Sequence, residues 1–367
     1  MIRRRTAGLL ALVAALALAG CSAVSAAPEA STTSAAPRGP LAEAPVLADP
    51  RSHEGPSTAV IADAAIPPVA ENPAQTLPAT VETHDLDGVH ETTVTDTSRV
   101  LAIDLAGSLA ATVWGLGFGD RLVGRDISTT FPGTEALPVV MSGGHTVNAE
   151  AIIALRPTLV ISDGTVGPRD VLEQLRDVGI QVVFVQNQAS FEGAAALARS
   201  VGAVFGAPEA GDALAARIAS DVDAKIAEIA GIAPADDADR VRMVFLYLRG
   251  SAGVYYLFGE GSGADDLIDA LGGVDVAGEL GWDGMKPITD EAIVAADPDL
   301  ILVMTDGLAS VGGVDGLLES KPAIAITTAG QHRRFVDMAD GQILSFGPRS
   351  ADVLDALARA VYAPDGS

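Results

Sequence analysis

Three residues could do chemistry together: His145, Tyr247 and Arg249. His145 sits in SGGHTVNAE, a glycine-flanked loop between the apolar run LPVVM and the start of a helix. Ligands of open α/β sheets collect in such loops at the carboxyl ends of strands. Tyr247 and Arg249 stand two residues apart in RMVFLYLRG, so on a strand they share a face. An arginine beside a phenol favours the phenolate, and a phenolate is a good ligand for ferric iron. An imidazole and a tyrosinate from distant parts of the chain would hold the iron of a haem from both sides, and few other ligands require that trio. Each residue also has a plainer reading: a lone loop histidine is commonly a hydrogen-bonded structural residue, and a strand tyrosine is commonly half-buried with its hydroxyl satisfied. Against the second stands the scarcity of tyrosine, four in 367 residues.

The surrounding residues are less specific. Tyr255 and Tyr256 in VYYLFG fall on opposite faces by alternation, one in a core and one at a surface or cleft wall. Trp282, Met285 and Lys286 lie in GWDGMKPITD, where the tryptophan and the methionine would suit a flat macrocycle, although loop packing is the plainer role. Arg169 and Lys286 are the candidate cations for acidic ligand groups. His332 in AGQHRRFVD reads as a solvated turn, and His53, His84 and His90 carry no assigned role. Two histidines in the ordered part are too few for a multi-histidine zinc or manganese cage. No GxGxxG opens a helix after the first strand, and no P-loop or G-x-S-x-G elbow is present. The glycines of FGEGSGADD precede Asp265 and Asp266, which would repel phosphate. The chain therefore reads as a binding protein and not an enzyme.

One stretch is stated twice. NAEAIIALRPTLVISD and TDEAIVAADPDLILVM align so that Glu150 meets Glu291, Ile152 meets Ile293, Pro157 meets Pro298 and Leu159 meets Leu300. Asn148 and Thr289 are good N-caps, so each copy reads as a short helix with a glutamate in its first turn, followed by a strand. A single such glutamate would be ordinary helix electrostatics. Two at equivalent places present a matched pair of negative charges suited to a partner with two positive sockets, while the histidine precedes only the first copy.

These residues need elements to hold them. With 49% apolar residues the chain can bury a large core, and its net charge of −25 argues against a nucleic-acid partner. Arg3, Arg4 and Arg5 precede LLALVAALALAG, an apolar run too short for a permanent span, so residues 1–20 read as an export signal. It ends in Leu18-Ala19-Gly20-Cys21, the pattern of a bacterial lipobox, and Cys21 is the only cysteine, which excludes an internal disulfide. Residues 21–95, rich in Ala, Pro, Ser and Thr, read as a disordered tether. From 96 to 205, RVLAID, LVGRD, LPVVM, TLVISD and QVVFVQ read as strands alternating with helices such as LAGSLAATVWGLG. Residues 206–238 hold a long helix starting at Pro208 and an acidic loop, and 239–367 resume the alternation with RMVFLYL, DLILVM and RRFVDM as strands. The fold class is α/β: two lobes, each with a mainly parallel central sheet flanked by helices, joined by one long rigid helix.

Over about Arg99 to Tyr362 the chain resembles the lipoprotein substrate-binding components of ATP-driven importers that carry cobalamin, siderophores or haem between two helix-linked lobes. The resemblance is carried by SRVLAIDLAGSLAATVWGLGFGDRLVGRD, the duplicated EAI helices with their strands, and ALGG in the second lobe. Within that family it looks most like the haemin-binding proteins of Gram-positive Hmu-type importers. The resemblance implies His145 and Tyr247 as axial ligands of a transported haem b and Arg249 as hydrogen-bond partner of Tyr247. It implies Glu150 and Glu291 as docking points on a permease dimer with its ATPase. Lipidation of Cys21 would hold the protein at the outer face of the cytoplasmic membrane. Tyr256, Trp282, Met285, Lys286 and Arg169 are further candidate haem contacts. A siderophore- or cobalamin-binding protein of the same fold is the alternative.

Overall fold

The computed structural model describes residues 38–364. The export signal, Cys21 and the first part of the expected tether lie outside them. No helix among the described residues is long and apolar enough to cross a membrane.

The first described segment overturns the expectation of a tether reaching residue 95. Strand β1 (Ser57–Ala59) pairs in parallel with the strand Phe335–Met338, Ser57 opposite Val336. Strands β2 (Ala79–Asp85) and β3 (Gly88–Val94) form an antiparallel hairpin. The hairpin is fixed to the first lobe: Thr83 Oγ1 accepts from the Phe184 amide at 2.9 Å, Gln181 Nε2 donates to the Thr93 carbonyl at 2.6 Å, and Asp85 pairs with Arg176 at 2.8 Å. Between the two, the Val69 amide donates to the Gly115 carbonyl and the Thr76 amide to that of Gly206. Gly117 adopts φ 99° where a Cβ would collide with the Ala70 carbonyl, so glycine permits that close approach. Composition misses this because the segment holds few apolar residues. Of those few, Leu41, Ile61 and Ile66 are seated in the core, and neighbouring strands supply the partners that offset chain entropy.

The first lobe follows with β4 (Val100–Ile103), α1 (Ser108–Leu116), the two-residue strands β5 (Met141–Ser142) and β6 (Thr146–Val147), α2 (Ala149–Leu155), β7 (Leu159–Ser162), α3 (Arg169–Gln174), β8 (Gln181–Phe184) and α4 (Phe191–Val204). Its sheet is parallel in the order β4-β7-β8. LVGRD and LPVVM, expected as full strands, are reduced to the isolated bridges Leu122 to Val100 and Arg125 to Val139, with only Met141 of the second entering a strand, β5. Pro138 has no amide to continue a ladder there. The long helix α5 (Pro208–Ala230) runs 23 residues, roughly 35 Å at about 1.5 Å per residue, with Pro208 in its first turn where the missing amide costs nothing.

The second lobe contains β9 (Arg242–Arg249), β10 (Val254–Phe258), α6 (Ala264–Ala270), β11 (Val274–Asp275), α7 (Val276–Glu279), β12 (Met285–Pro287), α8 (Asp290–Ala296), β13 (Leu300–Met304), α9 (Thr305–Ala309), α10 (Gly313–Ser320), α11 (Pro322–Ala325), α12 (Thr328–His332), β14 (Phe335–Met338), α13 (Asp340–Ile343) and α14 (Ser350–Tyr362). Its sheet runs β1-β14-β13-β9-β10-β12, with β11 beside β9; β1, β14, β13 and β9 are parallel, and β10 runs antiparallel to both of its neighbours, β9 and β12.

Alternation along these strands sorts the core into three layers. Val100, Ala102, Leu159 and Ile161 of the first sheet share one cluster with Met243, Phe245, Leu300 and Leu302 of the second, together with Leu214 and Ile218 of α5. The intervening residues face outward into separate clusters, Leu101, Ile103 and Val160 under α2 and Val244, Leu246 and Ile301 under α8. A core continuous through both lobes resists wide opening, because separation would wet apolar surface at about 25 cal/mol per Å².

Candidate functional site

The site begins on β9. Its pattern places Met243, Phe245, Tyr247 and Arg249 on one face and Val244, Leu246 and Leu248 on the other. Phe245 is buried in the shared core, while Tyr247 and Arg249 lie at the strand's carboxyl end and are half-buried. The Tyr247 ring stacks on Phe258 with centroids 5.9 Å apart, and Tyr256 stands directly across from Tyr247 on β10.

Arg249 holds a different place from the expected one. Its guanidinium lies over the Tyr247 ring at 4.6 Å, and its nitrogens donate to Asp340 Oδ2 at 2.6 Å, to the Leu248 carbonyl at 2.9 Å and to Met304 Sδ at 3.8 Å. These partners replace the expected hydrogen bond to the tyrosine hydroxyl. A carboxylate is the stronger acceptor for a guanidinium, and it draws Arg249 into a stacked position on the ring. Asp340 also accepts from the Asp306 amide at 2.9 Å; burial raises its pKa, opposed by that amide and by Arg249. Sequence reading passed over Asp340. The available signal was a carboxylate just past the carboxyl end of β14, in the register where sites of such sheets form.

His145 is positioned by a hairpin. Met141 pairs with Val147 and Ser142 with Thr146, leaving Gly143-Gly144-His145 as the tip. Both glycines have positive φ, 58° and 94°, which the tight turn requires. The His145 carbonyl accepts from the Gly167 amide at 3.4 Å, tying the tip to the loop before α3. The imidazole is half-buried and its Nδ1 is buried without a hydrogen-bond partner. Burial lowers its pKa from the ordinary value, the charge of Arg249 lowers it further, and that of Asp340 opposes. A first-lobe imidazole thus feels the second-lobe pair that flanks Tyr247, and stays a neutral donor suited to a metal.

Arg169 opens α3 and stacks over Phe184 at 4.3 Å, with Nε and Nη2 buried and unpartnered, so it retains donors for an anionic group. Register separates the remaining candidates. Met285 pairs with Phe258 and Pro287 with Tyr256, so both share the Tyr247 face; Met285 is 56% exposed. Lys286 pairs with Leu257 on the opposite face, and Trp282 packs against that face's cluster of Val244, Leu246 and Leu257. Of these candidates, Met285 is the one that the strand's alternation sets on the Tyr247 face.

Glu150 and Glu291 are exposed in the first turns of α2 and α8. The capping is as expected: Asn148 accepts from the Ala151 amide at 3.1 Å and Thr289 from the Ala292 amide at 3.2 Å. The group Asp85, Asp87 and His90 on the first hairpin clusters ligand atoms, but Asp85 is already committed to Arg176 through two bonds.

The crystal structure of the haem-binding protein HmuT is 40% identical to this chain, superposes with a TM-score of 0.79, and covers 86% of this chain and 99% of that one. Its matching variants replace a histidine, a tyrosine or an arginine by alanine, the last two separated as Tyr247 and Arg249 are here. The uncharacterized ABC transporter substrate-binding lipoprotein YvrC of Bacillus subtilis (strain 168) is 28% identical over 266 residues, 72% of this chain and 80% of that protein. A cobalamin-binding protein of Halobacterium salinarum is 28% identical over 276 residues, 73% of this chain and 70% of that protein. The periplasmic binding protein family model matches residues 103–340, which span both sheets and the helix between them, and the chain belongs to that family.

Proposed function

We propose that the protein captures ferric haem between its lobes and delivers it to an ABC-type permease. The observation that supports this reading is that the first-lobe His145, its Nδ1 buried and unpartnered, lies close enough to the second-lobe Arg249 and Asp340 beside Tyr247 to sense their charges. Binding has two separable parts. The apolar macrocycle is desolvated against Tyr256, Met285 and Phe258, and iron is coordinated axially by His145 and Tyr247. Arg249 is poised to leave the tyrosine ring face and support the phenolate oxygen once iron takes it, and Arg169 offers its free nitrogens to a propionate.

As a member of its family the chain is an extracytoplasmic substrate-binding protein. Lipidation at Cys21 would anchor it to the outer face of the cytoplasmic membrane, and Glu150 and Glu291 would set it on the permease dimer that works with its ATPase. Haem passes through chemically unchanged.

Haemin titrated into the protein is expected to give a ferric Soret band saturating with bound haem, displaced in different directions by His145→Ala and Tyr247→Ala. An unchanged spectrum in both variants sinks the assignment. The Halobacterium relative favours cobalamin as the second reading. Cobalamin that displaces haemin, or binds where haemin does not, would establish it in place of haem.

A further inference from the structure

The two helices that carry Glu150 and Glu291 agree in more than their glutamates. α2 and α8 are seven residues each, AEAIIAL and DEAIVAA, and both end in a left-handed C-cap, Arg156 at φ 49° and Asp297 at φ 37°. Two residues after each glutamate, Ile152 and Ile293 are buried at 0% and 1% exposure and fix each helix to its lobe. Three residues after each glutamate, Ile153 and Val294 are both 42% exposed. Ala154 and Ala295, next along, are exposed as well. Positions i, i+3 and i+4 lie on one helix face, so each lobe presents a glutamate with an apolar patch directly beside it.

A single exposed apolar residue is ordinary. Here a β-branched residue stands 42% exposed at the same outward position in both lobes, where it slightly disfavours the helix. Away from that face the copies diverge. Leu155 is half-buried where Ala296 is buried, and the C-caps carry opposite charges, Asp297 being used internally to accept from the Thr328 amide at 2.7 Å. Among the exposed positions the agreement lies on the face that carries the glutamates, while inside the fold it holds at the buried isoleucines Ile152 and Ile293.

We infer that Ile153 and Val294 are contact residues of the permease-docking face, each buried on docking in an apolar recess beside the cationic socket that receives its glutamate. The partner that fits is a two-fold membrane protein dimer offering the same socket and recess on both halves. This rests on the glutamate-docking reading above and adds what that reading lacks. Exposed ion pairs chiefly steer and orient, whereas desolvated apolar contacts slow dissociation.

The test measures binding of the full-length, haem-loaded protein to its permease–ATPase complex in lipid nanodiscs at low and high salt. Ile153→Gln with Val294→Gln is expected to weaken binding roughly ten- to fiftyfold, mainly through faster dissociation, with the salt dependence kept. Glu150→Gln with Glu291→Gln is expected to slow association and flatten the salt dependence. The Soret band and thermal midpoint of each variant report folding, and Ile153→Ala with Val294→Ala repeats the test with a strong helix former. Wild-type binding by both apolar pairs overturns this inference whatever the charge pair does. Wild-type binding by the charge pair, with the apolar pairs weakened, overturns the glutamate reading and leaves the apolar contact standing.

Discussion

The His145 corner of the first lobe and the Met285 corner of the second occupy equivalent places ahead of the duplicated helices, yet they are built differently. The first is a free-standing hairpin whose Gly143-Gly144 tip aims an imidazole with an unpartnered nitrogen. The second is absorbed into the large sheet as an edge strand, with Met285 opposite Phe258 and Pro287 opposite Tyr256. Behind both corners the helix is the same, down to its N-cap bond and the buried isoleucine. The duplicated helices agree, whereas the segments ahead of them do not. The second lobe's candidate ligand comes from the other direction, off the end of β9, where Tyr247 emerges beside Arg249.

The comparison is broken most severely by removing the two proposed haem ligands separately. Tyr247→Ala is expected to lower ferric haem affinity about 100-fold or more, and His145→Ala roughly tenfold, the free energies of about two and one decades in Kd. Equal losses, read by competition with a haem-binding reporter, would mean that the two corners contribute symmetrically after all.

Asp340→Asn is the next largest. The bond at 2.6 Å that holds Arg249 over the tyrosine ring would weaken, and Arg249 would be free to reach the hydroxyl. A Soret shift with roughly a three- to tenfold change in haem affinity is expected, abolished when Arg249→Ala is already present. Additive effects in that double-mutant cycle would show that Asp340 does not act through Arg249.

Acid gives a graded test of the first corner. Burial and Arg249 hold the His145 pKa below its usual value, so the imidazole takes up its proton only at a lower pH than an ordinary histidine. Protonation competes with iron for the ring nitrogen. Haem binding should therefore persist at neutral pH and weaken as pH falls through that depressed midpoint, with the step missing in His145→Ala. Absorbance against pH and the imidazole proton shifts of the haem-free protein check both halves.

The smallest effect concerns the extension. Arg176 and Asp85 are paired through two hydrogen bonds with Asp85 largely buried, so Asp85→Ala should lower stability by about 1–2 kcal/mol in denaturant titrations. Haem affinity should not change, because the hairpin lies against β8 and away from both corners. Loss of haem binding in this variant would tie the extension to the site.

Where the sequence could be read, periodicity was the reason. The strands β4, β7, β8, β9 and β13 and the helix α5 follow from apolar runs and spacing, and the repeat located Glu150 and Glu291 on capped helices. The reading failed where order comes from a distant partner. Residues 57–59 have no strand signature of their own and are ordered by the free edge of β14, and LPVVM is stopped by Pro138. Lys286 and Met285 were both named as candidate contacts, and the strand turns these two neighbours to opposite faces.

The sequence by itself determined the two-lobed α/β plan, the duplicated glutamate helices, and that His145, Tyr247 and Arg249 were the residues to watch. These follow from local rules: side-chain period, capping chemistry and the donor properties of imidazole and phenol. Only the tertiary structure decided that Asp340 takes the guanidinium of Arg249, that Arg249 lies on the face of the tyrosine ring, and that residues 38–95 belong to the folded body. Partners such as Asp340 and Arg249 are 91 positions apart, and which of several acceptors a guanidinium chooses depends on distances that no local pattern encodes.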